Sequence, residues 1–438
     1  MICVNEMKVT LDSLHAAGNI ELQTNLSEDS WKRIQGLEIS MEDSVRLKDN
    51  ISSLGVTKEF QKVIDTFQVE KGIIPAGFRP VFCYDAGGGT QVDLKRDISY
   101  GENGIKRPTN VLFSADSANP YEVEPIKNFI ANLTCNPAII YDSFINNPKA
   151  NVGNKFKDRY EVMEELCKIL GPGTDISVEV DNPYASESEI SEEITRFEEI
   201  LTPYRLVVKV PHTGPIAQDD IGSLVNNTFD KGFEEGTIET NFYGHNLAYR
   251  LAEKGYRTNF TLMFEPHQVA LALQAKPYFI NTFIKQRFNV TYELRQLMEQ
   301  YKQSGDITKV EQMRDLMTAE DMLSAKEAKD SLAQVLEKVR WVLEYRGAFN
   351  ENGADGLDAT RHSLRVLRSS NLPDSRLIIC SMGGEMMYPY IDKMLMEPEF
   401  QDMIHRVVIT APPSYLSRFA SASGVLTYQR TFMKAIGK

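Results

Sequence analysis

From about residue 108 onward, short apolar runs of strand length alternate with stretches whose apolar residues recur at helical spacing. The runs fall at 111–116, 131–134, 176–180, 206–210, 259–264, 278–282, 377–381 and 407–410. Amphipathic stretches such as 160–170, 189–200, 245–254 and 267–275 lie between them. Strands alternating with helices make a parallel sheet covered by helices. Eight such runs in succession predict an α/β fold, a closed (β/α)₈ TIM barrel over 108–438, with an open doubly wound sheet as the alternative.

Two segments do not fit an eightfold repeat. Residues 1–107 form an N-terminal extension, with a helical pattern near 44–69 and turn-rich sequence after it. Its Asp85-Ala86-Gly87-Gly88-Gly89-Thr90 has no Gly-Lys-Ser/Thr ending and no helix-forming run behind it, so it predicts a turn rather than a phosphate loop. Residues 289–347, after the sixth strand, are rich in Glu, Lys, Leu, Met and Ala and predict helices broken near Ser304-Gly305-Asp306. Their charges suit a solvated face. Their Met and Leu positions are expected to pack on the barrel or on a second subunit, so this insertion is a candidate oligomer contact or a lid over the pocket.

Composition narrows the class. The chain has 438 residues, 42% of them hydrophobic and 25% charged, as in an ordinary globular protein. A net charge of −13 argues against nucleic acid or an anionic membrane as partner. No window approaches a transmembrane span, and Met1-Ile2-Cys3-Val4-Asn5-Glu6-Met7-Lys8 lacks the regions of a signal peptide. Five scattered cysteines fit reduced thiols in a cytoplasm, and no Cys/His cluster has zinc-ligand spacing.

The chemistry starts at Lys209, in Leu206-Val207-Val208-Lys209-Val210-Pro211-His212-Thr213. Burial in an apolar strand disfavours the ammonium, and a lysine neutral near pH 7 is a nucleophile able to form a Schiff base. An edge strand whose lysine reaches solvent is the other reading. In a barrel, catalytic groups come from the C-terminal ends of the strands. Those ends carry Asp116, Asn136, Glu179, Lys209, Asn259 with Thr261, and Asn281. Each alone suits a loop start or a strand, but together they predict one polar pocket around an amine.

These motifs, in this order, resemble the transaldolase family. Ser114-Ala115-Asp116-Ser117-Ala118-Asn119 is similar to that family's Asp-Thr strand end, and Thr134-Cys135-Asn136-Pro137-Ala138 to its Thr-Thr-Asn-Pro-Ser. Ser177-Val178-Glu179-Val180 resembles its third strand, and Val208-Lys209-Val210-Pro211 with Thr213 its Schiff-base stretch. Gly255-Tyr256-Arg257-Thr258-Asn259-Phe260-Thr261-Leu262-Met263-Phe264 resembles its Gly-Ile-x-x-Asn-x-Thr-Leu-x-Phe signature. The resemblance covers roughly 108–288 and, more weakly, 352–425.

It implies that Lys209 forms the imine, that Glu179 and Thr261 hold a proton-shuttling water, and that Asp116 is the acid/base at the carbon–carbon bond. Asn136 and Asn259 would orient the substrate hydroxyls, with Thr134 beside them. The implied activity moves a three-carbon dihydroxyacetone unit from a ketose to an aldehyde, with no metal or organic cofactor. The implied partner is a sugar or sugar phosphate, in a cytoplasmic homo-oligomer. The related fructose-6-phosphate aldolases carry Gln and Tyr where this chain has Glu179 and Phe283, which favours transfer over simple aldol cleavage.

The phosphate end departs from the family. Its Ser-Pro-Phe-x-Gly-Arg is here Asn281-Thr282-Phe283-Ile284-Lys285-Gln286-Arg287, and its Met-Gly-Ala-Ser-Phe-Arg is Met382-Gly383-Gly384-Glu385-Met386-Met387. Either Lys285 or Arg287 takes the phosphate, or the substrate is not an ordinary sugar phosphate. Outside the enzymes, a barrel scaffold that binds partners is the competing reading.

Overall fold

The computed structural model describes residues 9–17, 21–24, 26–39, 53–84 and 89–437. The chain divides into two units, one taking in residues up to Thr109 together with Leu170–Asp175, the other Asn110–Ile169 and Ile176–Lys438.

The larger unit is built on eight strands: β1 Leu112–Asp116, β2 Asn132–Cys135, β3 Asp175–Glu179, β4 Leu206–Pro211, β5 Thr258–Met263, β6 Phe279–Phe283, β7 Arg376–Cys380 and β8 Val407–Ala411. They close into one barrel in sequence order, β8 returning to β1 in parallel register (Val408 with Leu112, Ala411 with Ala115). The closed barrel is the predicted architecture, and the open sheet is excluded. The strands read as apolar runs because both faces are covered; all six residues of β4, Lys209 included, are buried.

The inward faces are not uniformly apolar. Side chains alternate along a strand, so residues in register on neighbouring strands share a face. Asn132 of β2 donates through Nδ2 to Ser114 Oγ of β1 at 2.9 Å, and Ser177 Oγ of β3 donates to Asn132 Oδ1 at 3.2 Å. Two residues further along those strands stand Asp116, Thr134 and Glu179, at the C-terminal ends. The hydrogen-bonded layer therefore lies directly beneath them.

After β6 the chain makes three helices, Lys285–Ser304, Thr308–Ala319 and Leu332–Tyr345. The first ends at Gly305 in the left-handed region (φ 68°), the break expected there. Leu294, Met298, Met313, Met317, Val339 and Val342 bury against one another in a core of their own. These apolar positions thus pack chiefly within the insertion, rather than being left for the barrel or another subunit.

In the smaller unit a four-stranded sheet runs Glu21–Leu22, Ser53–Val56, Gly89–Arg96, Phe78–Tyr84. The helical pattern expected near 44–69 is described only from Ser53, where a strand comes first. The helix begins at Lys58 because Thr57 Oγ1 accepts from Phe60 N at 3.0 Å, an N-cap that stops it extending backward. Of the turn expected at Asp85–Thr90, residues 85–88 lie outside the described residues, and Gly89 opens a strand. Residues 1–8, with Cys3, also lie outside them.

Candidate active site

Parallel register places Lys209 beside Glu179 on one side and Asn259 on the other. Lys209 Nζ lies 3.0 Å from Glu179 Oε2, and the two side chains are 4% and 13% exposed. Asp116 completes the cluster by electrostatic coupling to both. Burial, only partly offset by the Lys209 charge and reinforced by Glu179, raises the Asp116 pKa above the usual aspartate value. A carboxyl held that way is suited to carrying a proton back and forth.

Lys209 corrects the sequence reading. Burial does pull its pKa down, but the charges of Glu179 and Asp116 and the hydrogen bond it donates to Glu179 outweigh it. The result is an amine held above the ordinary lysine value, hence an ammonium near neutrality. It becomes nucleophilic only by giving a proton away, and Glu179 is the carboxylate in contact with it.

Around the amine stand polar atoms with no partner among the described residues. Asn259 is fully buried, yet neither its Oδ1 nor its Nδ2 is hydrogen-bonded. Thr134 Oγ1, Asn281 Oδ1 and Thr410 Oγ1 share that condition. Asn281 Nδ2 donates weakly to Thr261 Oγ1 at 3.4 Å. Unpaired buried amides are rare and costly, so several on the strands of one barrel mark a surface built to bind hydroxyl or carbonyl groups. Thr261 is followed by Leu262 at φ 67°, where the β5–β6 register shifts between Phe260 and Met263. This bulge, with its left-handed leucine, bends the chain at Thr261, the kind of local strain that accompanies functional sites.

The other expected residues divide. Asn136 spends its Oδ1 on Ile139 N (2.8 Å), which leaves only its Nδ2 for a ligand. Phe283, at the end of β6, packs on Phe264 with ring centroids 5.2 Å apart. Exposed Lys285 lies along Gly383; a Cβ there would stand 3.0 Å from Lys285 Cε, so the glycine lets the ammonium reach the loop after β7. Arg287 is not brought to the cluster. Its guanidinium is bidentate to Asp358 (3.1 and 2.6 Å) and ion-paired to Glu265 at 2.7 Å. Those commitments, which arise because it sits near the start of a helix flanked by both carboxylates, leave it no free charge for the phosphate role expected of it while Glu265 stays in place.

Sequence reasoning missed Arg159, which is 2% exposed. Its Nη2 donates to the backbone oxygen of Glu179 at 2.6 Å, and its Nη1 meets Glu193 Oε1 at 2.6 Å and also Asp181. It pins the end of β3 and thereby the carboxylate that faces Lys209. Thr410 and the Ser114–Asn132–Ser177 layer were also missed, although polar residues at every second position of β1, β2 and β3 were a usable signal.

A closed parallel barrel with a polar cluster at the C-terminal ends of its strands has the form of a (β/α)₈ barrel enzyme. A family model described as transaldolase/fructose-6-phosphate aldolase matches residues 113–338, just over half of the chain. The chain belongs to that family, whose members are enzymes of transaldolase or aldolase type. No curated protein sequence matches it. Among solved structures it is similar to a phosphonopyruvate hydrolase complexed with oxalate and magnesium (9% identity, 75% of this chain and 84% of that one, TM-score 0.34). It is similar also to an HpcH/HpaI aldolase from Desulfitobacterium hafniense DCB-2 (7% identity, 75% and 94%, TM-score 0.28). Likenesses that distant say nothing of activity. Among the described residues no helix is long and apolar enough to cross a membrane.

Proposed function

We propose that the protein is a Schiff-base transaldolase that carries a three-carbon ketose fragment from a donor to an acceptor aldehyde. The observation that carries this reading is the buried Lys209–Glu179 pair at 3.0 Å, with Asp116 coupled to both. Glu179 takes the ammonium proton, and the freed amine adds to the ketose carbonyl carbon. The carbinolamine loses its hydroxyl as water, with the proton returned from Glu179, to leave an iminium. Asp116 then removes the proton of the hydroxyl on the carbon beyond the bond to be broken. That bond cleaves, its electron pair enters the iminium as an enamine, and an aldehyde departs. In the reverse direction the enamine attacks a second aldehyde, Asp116 returns the proton to the new hydroxyl, and water releases the product. The unpartnered amide of Asn259, the free Oδ1 of Asn281 and the hydroxyl of Thr134 supply hydrogen bonds to the fragment. Phe283 brings no hydroxyl to protonate the enamine, which favours transfer over simple cleavage.

Borohydride trapping with intact mass and peptide mapping tests this across fructose 6-phosphate, sedoheptulose 7-phosphate, dihydroxyacetone and their non-phosphorylated or sulfonated analogues. A three-carbon adduct on Lys209, absent in Lys209→Met, is expected. The ketoses that deliver it define whether the ammonium of Lys285 serves a phosphate. Folded protein that gives no adduct with any of them overturns the proposal in favour of a non-catalytic barrel.

A further inference from the structure

A cavity of about 660 Å³ lies between the helical insertion and the segments that follow β5 and β6. That volume is within the range of small-molecule sites. Lys209, Glu179 and Asp116 are not among the residues around it, and its purpose does not depend on imine chemistry.

Two features of its wall stand out. Arg287 and Arg346 are 4% and 6% exposed, and both converge on a single oxygen, Glu265 Oε1, at 2.7 and 3.2 Å. Arg287 is already neutralised by its bidentate pairing with Asp358, and Arg346 Nη1 is placed by Thr291 Oγ1 at 3.0 Å. Glu265 is the solvent-facing partner of the two arginines: its side chain is 33% exposed and carries the charge that answers Arg346. Two guanidiniums aimed at one acceptor oxygen make an anion site, held here by a carboxylate of the chain itself. The aromatic part of the lining adjoins the arginines, on the helix that Arg346 caps and with Arg287 over the Tyr345 ring at 5.9 Å. Trp341 and Tyr345 stack with centroids 5.3 Å apart and planes 3° from parallel, yet are 62% and 48% exposed. A flat aromatic surface left in water beside a buried cationic pair suits a ligand with a planar apolar body and one anionic group.

We infer that this cavity binds an aromatic organic anion, whose carboxylate, sulfonate or phosphate displaces Glu265 from Arg287 and Arg346 while its ring lies on Trp341 and Tyr345. The exchange is feasible because the leaving carboxylate passes into solvent, so no buried charge is stranded, and burial of the ring supplies the driving force.

The chain has two tryptophans, Trp31 and Trp341, so Trp31→Phe leaves one reporter, in the cavity wall. The probe is 8-anilinonaphthalene-1-sulfonate, titrated into the full-length Trp31→Phe protein and read as quenching of Trp341 emission. Energy transfer from Trp341 also reaches probe bound elsewhere, so the substitutions at Arg346 and Glu265 assign the site. One saturable equivalent is expected. Affinity should fall about tenfold or more for the uncharged N-phenyl-1-naphthylamine and in Arg346→Gln, and rise several-fold in Glu265→Gln, which removes the displaced charge. Unsaturable quenching overturns the inference, as does equal affinity for the neutral and anionic probes. If Arg346→Gln does not fold, the probe comparison and Glu265→Gln still decide.

Discussion

His212 follows β4 directly, and its replacement by phenylalanine should make the protein more resistant to acid. Its ring stacks on His245 (centroids 4.8 Å, planes 19° apart), and both meet Phe260 edge-on at 4.4 and 4.8 Å. Neither His212 ring nitrogen has a hydrogen-bond partner among the described residues. Burial first, and the neighbouring His245 second, push the His212 pKa down from 6.5 to about 3. The unfolded chain takes up this proton near pH 6.5 while the folded state refuses it until about pH 3, so stability is present above 6.5 and is lost as pH falls between those values. At about 1.4 kcal/mol per pH unit, the loss from His212 alone reaches about 2 kcal/mol at pH 5. Phenylalanine keeps a ring against His245 and Phe260 but cannot titrate. Urea unfolding of wild type and His212→Phe at pH 7.5 and pH 5 isolates the effect, because titrating groups away from the ring pair cancel in the difference. The gap between the two proteins should change by about 2 kcal/mol in favour of the variant at pH 5. Stability curves that run parallel across this range would refute the reasoning, since they would require imidazole nitrogens that find solvent or a partner.

Asp116→Asn should still form the borohydride-trappable adduct on Lys209 but cleave the donor about 10²–10⁴-fold more slowly; unchanged cleavage would remove Asp116 from the proton transfer. Arg159→Met strands Glu193 beside the end of β3 and is expected to cost about 3 kcal/mol, the low end for a broken buried pair because Asp181 is exposed enough to be resolvated. Arg159→Lys should recover part of that stability yet form the adduct more slowly than wild type, because a single ammonium cannot hold Glu193 and the Glu179 carbonyl together; adduct formation at the wild-type rate counts against a positioning role. Gly244→Ala would ordinarily help a helix by about 1 kcal/mol. Here the added Cβ would stand 2.3 Å from the Pro211 carbonyl oxygen, so thermal unfolding should show a net loss of about 1–3 kcal/mol.

The barrel was legible because its strands are largely buried on both faces, which writes short, mainly apolar runs into the sequence. The insertion was half legible. Its helices and the break at Gly305 follow from local rules, but where Met298, Met313 and Met317 pack depends on three helices folding back on one another, which no local pattern records. Arg159 was out of reach for the same reason: its partners Asp181 and Glu193 lie far along the chain, and it differs in no way from a surface arginine in a helix start. Arg287 misled in the opposite direction. One residue of slip relative to the family motif puts it on a helix face between Glu265 and Asp358.

Lys209 shows the limit most clearly, since the sequence was right about its burial and wrong about its charge. Desolvation is a property of the strand and can be read from Leu206 to Pro211. The opposing field comes from Glu179 and Asp116, on two other strands, and only closure of the barrel brings them to the amine. The correction changes the chemistry. A lysine neutralised by burial alone would attack unaided, and replacing Glu179 would leave imine formation largely intact. An ammonium stabilised by Glu179 needs that same carboxylate to accept its proton, so Glu179→Gln should slow adduct formation about 10²–10⁴-fold at neutral pH. Trapping rates for Glu179→Gln between pH 7 and pH 10 separate the two cases. Recovery as pH rises fits an ammonium, held by Asp116 as well, that has lost its proton acceptor, whereas a wild-type rate at pH 7 would mean that Glu179 is not the base that deprotonates Lys209.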